Sequence, residues 1–130
     1  MDKQLKKTIL REFYNSLKES GYDNIKSNLL EIEDPNKIVD KQTGNTFNPD
    51  MTATYKSSSY IFEIETTENI KISKEKFVNK YNTFLQYANS KNIKLRLIVL
   101  VQQFDQFFLE LNKCNLENVG IIQIDSAKAH

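Results

Sequence analysis

Histidine and cysteine are almost absent from this sequence. Its 130 residues hold one cysteine, Cys114, and one histidine, His130, which is the last residue. A lone cysteine forms no intramolecular disulfide and no thiolate cluster for zinc. Without an internal histidine, serine triads, His-dependent nuclease chemistry and most zinc hydrolysis are excluded. Charge of one sign is lacking as well. Eighteen Lys+Arg stand against 17 Asp+Glu, which excludes a nucleic-acid clamp that works by net charge alone and leaves room only for a local basic stripe. Long apolar runs are missing too: the longest, residues 97–101, is far too short to cross a bilayer. The first seven residues are charged and pass into an amphipathic pattern rather than an apolar signal core. The length suits one ordinary domain, and the expectation is a soluble, cytoplasmic single domain over residues 1–130.

Leu5, Ile9, Phe13 and Leu17 recur every four residues, widened by Leu10 and Tyr14, and predict an amphipathic helix that stops near Gly21. A short apolar patch at residues 29–32 could form a strand, and residues 34–48, broken by Pro35, Gly44 and Pro49, read mostly as loop. From Asp50 the period changes to two. Residues 50–55 alternate, residues 56–59 make a polar turn, and residues 60–66 are rich in β-branched and aromatic side chains: an antiparallel hairpin. Residues 74–90 return to helical period with Phe77, Tyr81, Phe84, Leu85 and Ala88 on one face and Ser73 as N-cap. Residues 95–101 read as a central strand, residues 106–118 as a helix ended by Gly120, and residues 121–124 as a last short strand. The class is α/β: a mixed central sheet flanked by helices.

Acid sits in an unusual place. Glu63 and Glu65 interrupt an otherwise apolar strand two residues apart, so both project from one face. A four-residue turn over 56–59 pairs Tyr55 with Tyr60 and sets Asp50 opposite Glu65, with Glu63 on the diagonal. Three carboxylates then lie roughly 5 to 8 Å apart between Cβ atoms. Like charges facing each other on a sheet are destabilising, and carboxylates are seldom buried unpaired. Either a hard divalent cation such as Mg²⁺ compensates them, or this face is an acidic, solvent-facing edge whose other side (Met51, Ala53, Tyr60, Phe62, Ile64) covers the core.

Asn48-Pro49-Asp50, the 13-residue offset from Asp50 to Glu63, and the strand Phe62-Glu63-Ile64-Glu65 resemble the PD-(D/E)XK, or restriction endonuclease-like, nuclease superfamily. The order of elements resembles that superfamily's core over nearly the whole chain. The resemblance implies Asp50 and Glu63 as metal-binding acids, the Ile64 carbonyl as a further ligand, and Mg²⁺ or Mn²⁺ as cofactor. It implies phosphodiester hydrolysis by a metal-activated water, nucleic acid (DNA first) as partner, no membrane, and a homodimer in members that cut both strands. Glu65 stands where the motif has lysine, an ExE variant found in some restriction enzymes, and would join the metal-binding and catalytic set. Non-catalytic interaction or nucleic-acid-binding modules also keep this fold, so two functional classes stay open. Near-neutral charge favours the module, since phosphate contacts dominate nucleic-acid affinity.

A lysine can arrive from elsewhere. Lys71, Lys74, Lys76 and Lys80 follow the hairpin, and Lys76 and Lys80 share a helix face; Lys80 is the candidate, against the reading of a solvated helix surface. Glu12 on the first helix is a further candidate acid. Tyr81, Phe84 and Tyr87 read as helix packing, Cys114 as a small buried hydrophobe, and Thr66 and Thr67 as strand formers that can also meet a phosphate.

Overall fold

A computed structural model of the chain describes residues 1–116 and 119–126; His130 lies outside them. Helix α1 (Lys3–Glu19) begins where the Asp2 carboxylate accepts from the Leu5 N–H at 2.8 Å, an N-cap. It ends where Gly21, at φ +93°, lets its own N–H reach the Lys18 carbonyl and the Tyr22 N–H reach that of Leu17. This is the left-handed stop that glycine makes at low strain. Ile9, Leu10, Phe13 and Leu17 are buried, as the periodicity predicts.

The strand expected at residues 29–32 lies earlier. Strand β1 (Asp23–Lys26) pairs at the sheet edge, and residues 29–31 form turns that tuck Leu30 into the α1 core. Within the stretch read as loop, β2 (Ile38–Val39) and β3 (Thr46–Phe47) make a small antiparallel ladder of their own.

The hairpin of β4 (Met51–Tyr55) and β5 (Ser58–Ile64) is present, but its register corrects the expected one. Tyr55 pairs with Ser58 and Met51 with Phe62, so one further step sets Asp50 across from Glu63 and not from Glu65. The cause is the turn. Lys56 takes φ +54°, the positive φ that tight two-residue hairpin turns need, and Ser58 and Ser59 join the ladder instead of the loop. A shift of two keeps every side chain on its face. Lys56 accepts a conformation that costs a residue with a Cβ about 1 kcal/mol. Lys56→Gly is therefore expected to raise stability by about 0.5–1 kcal/mol in urea titrations; a loss would show that the wider turn is the right one.

Two helices carry the chain from β5 to β6. Thr66 caps α2 (Thr67–Ile72), accepting from the Asn69 N–H at 3.2 Å; this short helix has too few residues to show a period. Ser73 caps α3 (Lys74–Lys91) as expected. Strand β6 (Ile93–Leu100) runs parallel to β5, and a 3-10 turn (Val101–Gln103) leads into α4 (Phe104–Lys113). The helix expected over 106–118 thus starts sooner and stops by Cys114, with Asn115 at φ +57°; residues 117 and 118 lie outside the described set. Gly120 opens β7 (Gly120–Ile124), parallel to β6, rather than closing a helix.

The result is a five-stranded mixed sheet, order β1-β4-β5-β6-β7, with helices on both faces. On one face α1 buries Ile9, Leu10 and Phe13 against Met51, Phe62, Ile64 and Ile98. On the other, Tyr81 and Phe84 of α3 and Phe107 and Leu111 of α4 cover Ile61, Leu97 and Val99. Ile61 faces α3 and Phe62 faces α1, so alternation sends Glu63 toward α3. Among the described residues, no helix is long and apolar enough to cross a membrane.

Candidate functional site

Asp50, Glu63 and Glu65 meet at the end of the hairpin, and all are buried: 7%, 1% and 4% exposed. That removes the solvent-facing acidic edge, because α3 covers the face on which the glutamates lie. Asp50 ends the loop before β4 and is held there by the Ser27 hydroxyl, which donates to the Asp50 carbonyl at 2.7 Å.

Every carboxylate oxygen is met by a donor from the chain itself. Asp50 Oδ2 accepts from the Ile64 N–H at 2.9 Å, and Asp50 Oδ1 lies 3.0 Å from Lys6 Nζ of α1. Glu63 Oε2 accepts from the Asp50 N–H, and Glu63 Oε1 lies 3.0 Å from Lys80 Nζ of α3. Glu65 Oε1 accepts from the Asn69 amide at 2.9 Å, and Glu65 Oε2 accepts from the Tyr81 hydroxyl at 2.8 Å, with Lys80 Nζ 3.8 Å away. The acids are thus stitched to three helices. Buried charge is tolerable when it is paired and hydrogen-bonded in this way.

The arrangement perturbs proton affinities. Burial, and then the charge of Asp50, push the Glu63 carboxyl up to about 8, while Lys80 pulls against them. Burial works against the Lys80 ammonium, but the facing carboxylates, Glu63 first and Glu65 second, outweigh it and hold Lys80 protonated. Burial and the same two glutamates raise the Tyr81 phenol well above its ordinary value. Tyr81 therefore stays a neutral donor to Glu65. Tyr81→Phe removes that donor and leaves a buried carboxylate oxygen short of a partner. It is expected to destabilise by about 1.5–3 kcal/mol in chemical denaturation; a change below about 0.5 kcal/mol would mean that Glu65 finds water instead.

Of the residues singled out from the sequence, the structure gathers Asp50, Glu63, the Ile64 main chain, Glu65 and Lys80 in one place. Lys71, Lys74 and Lys76 make no ion pair with these acids among the described residues. Glu12 bonds elsewhere, accepting from the Ser126 hydroxyl at 3.1 Å. Cys114 is buried, and burial raises its thiol pKa, as befits an inert core thiol. Three contributors stand outside the candidates that the sequence marks: Lys6, one of the charged residues that open the chain; Asn69, on the unforeseen α2; and Tyr81, whose helix position predicts packing alone. Tyr81 does pack, 4.8 Å from the Phe77 ring. Its hydroxyl was the available signal, since a buried tyrosine needs a polar partner.

The donors of this site are hard oxygen ligands, the class that Mg²⁺ and Mn²⁺ select. Among the described residues, no three Asp, Glu, His or Cys side chains group closely enough to hold a metal ion. Asp50 and Glu63 are the facing pair, and Glu65 is tied to α2 and α3. Mg²⁺ is commonly bound by one or two carboxylates, with water completing its shell, so Asp50 and Glu63 match such an ion in donor type, while each of their oxygens is already met by a donor from the chain. Lys6 and Lys80 hold the compensating positive charge. No family model, curated protein or solved structure matches this chain.

Proposed function

We propose that the chain is a divalent-cation-dependent nuclease with a restriction endonuclease-like core, hydrolysing phosphodiester bonds of nucleic acid. The observation that carries the reading is Lys80. Its ammonium reaches Glu63 at 3.0 Å and Glu65 at 3.8 Å from the helix that follows the hairpin. It supplies at the acidic strand the positive charge that Glu65 removes from the motif. Asp50, Glu63 and the Ile64 carbonyl would hold Mg²⁺ or Mn²⁺, which when bound lowers the pKa of a water and offsets charge on the phosphate. Lys80, held protonated by its neighbours, balances the charge that builds on the nonbridging oxygens. Glu65, anchored by Asn69 and Tyr81, positions Lys80.

A second reading has an observation of its own. Every carboxylate oxygen already has a donor, and the internal lysines balance the acids, as in a non-catalytic interaction or nucleic-acid-binding module that keeps the fold. The test is cleavage of mixed single-stranded, duplex and RNA substrates with Mn²⁺, beside the Asp50→Ala/Glu63→Ala double variant. The nuclease reading expects cleavage by the wild type and a loss of at least about a hundredfold in the variant. No cleavage by the wild type, or cleavage equal in both proteins, overturns it.

A further inference from the structure

Between α2 and α3 a cleft of about 230 Å³ opens from solvent onto Glu65 and Lys80, walled by Asn69, Ile72, Ser73, Lys76 and Phe77. Its two sides differ in chemistry. Lys76 stands one helical turn before Lys80, is exposed, and forms no ion pair among the described residues. Beside these cations on α3 lies Phe77, only 5% exposed, and at the end of α2 stands Ile72, 74% exposed, an isoleucine left in water at the rim of a slot that leads to charged groups. The volume is below the roughly 300 Å³ at which pockets for drug-sized ligands begin. The slot suits one small unit with an anionic end and a flat apolar body.

From these features we infer that the cleft takes one nucleotide of a single-stranded nucleic acid, its phosphate on Lys76 and Lys80 and its base against Ile72 and Phe77. The inference rests on the proposed nuclease reading and adds a substrate class to it. A base inside a duplex is stacked and paired, and reaching the slot would require extruding it. An unpaired strand offers phosphate and base together, which is how strand-binding grooves work: cations track the backbone and apolar or aromatic side chains meet the bases. Ser73, whose oxygen caps α3 through the Lys76 N–H, keeps its hydroxyl proton for a phosphate oxygen.

The experiment is fluorescence anisotropy of a labelled oligothymidylate and of a labelled duplex, in EDTA, so that binding is read without cleavage. The wild type is expected to bind the single strand at least about tenfold more tightly than the duplex. Lys76→Glu is expected to weaken the single strand by at least about tenfold, and Ile72→Ser by about threefold, while Lys3→Glu on α1 leaves it unchanged. Both cleft positions are exposed, so thermal melts should match the wild type. Equal binding of strand and duplex, no binding of either, or a Lys76→Glu variant that binds like the wild type overturns the inference. A parallel Mn²⁺ cleavage assay separates the two readings. Duplex cleavage that survives Lys76→Glu sinks the cleft and leaves the nuclease, whereas Lys76-dependent strand binding without cleavage sinks the nuclease and leaves the cleft.

Discussion

Replacing Lys80 with methionine is expected to lower the free energy of unfolding by about 3–5 kcal/mol at about pH 9. Methionine keeps an unbranched apolar stem against the rings of Tyr81 and Phe84, over which the Lys80 ammonium now sits at 5.2 and 5.7 Å. What disappears is the charge between two buried carboxylates. The loss should depend on pH, with a sign set by Glu63. Its carboxyl titrates near 8 in the folded protein against an ordinary 4.5. The folded state therefore binds more protons than the unfolded chain across that window, and stability falls as pH rises through it. Below about 4.5 the contribution is complete; above about 8 it is gone. Removing Lys80 raises the Glu63 pKa further and makes alkaline pH more costly. At about pH 5 Glu63 already carries its proton, and the variant should lose clearly less than at about pH 9. Urea titrations at the two pH values decide this. A loss below about 1 kcal/mol at both would place Lys80 with ordinary surface pairs.

Much of this arrangement was legible in the sequence because the relevant signals are local and periodic. Alternation along residues 60–65 sends Glu63 and Glu65 to one face whatever the turn, and the four-residue repeat of Leu5, Ile9, Phe13 and Leu17 finds α1 with its buried stripe intact. The misplaced features depend on backbone choices that residue type does not dictate. A lysine at positive φ is a poor bet from composition, yet Lys56 adopts it. That single torsion moves the partner of Asp50 from Glu65 to Glu63. The strand expected at residues 29–32 failed for a related reason. Apolar content marks burial, and Leu30 is buried, but a turn can bury a leucine as well as a strand can.

The site itself was half visible. The acids stand out because carboxylates in an apolar strand violate ordinary burial preference. Their compensation does not stand out, since it comes from three separate helices: Lys6 on α1, Asn69 on α2, and Tyr81 with Lys80 on α3. A lysine on an amphipathic helix looks the same in sequence whether it faces solvent or a buried carboxylate; only the tertiary fold separates Lys80 from Lys76. Lys80 and Lys6 thereby become competitors of any cation that the acids would bind, and this competition has a measurable consequence.

Addition of Mn²⁺ is expected to raise the melting temperature far more at about pH 9 than at about pH 6. A metal takes the ionised carboxylate, and Glu63 holds its proton up to about 8. Below that value each pH unit should weaken the apparent affinity about tenfold, so the two conditions differ by about a hundredfold. A simple surface cluster of ordinary acids would be fully ionised at both and would give the same shift at each. Asp50→Asn keeps the shape of the residue that receives both Lys6 and the Ile64 N–H but removes a charged ligand, and should abolish the Mn²⁺ shift at either pH. Lys6→Met should act in the opposite direction: with one competing ammonium gone, the Mn²⁺ shift should grow while the metal-free protein becomes less stable. The apo destabilisation and the larger shift must appear together. A Lys6→Met protein that melts lower with and without metal by the same amount would mean that Lys6 only braces the fold. A Mn²⁺ shift that is equal at both pH values, or that survives Asp50→Asn, would place the ion away from Asp50 and Glu63 and remove the metal from the proposed mechanism.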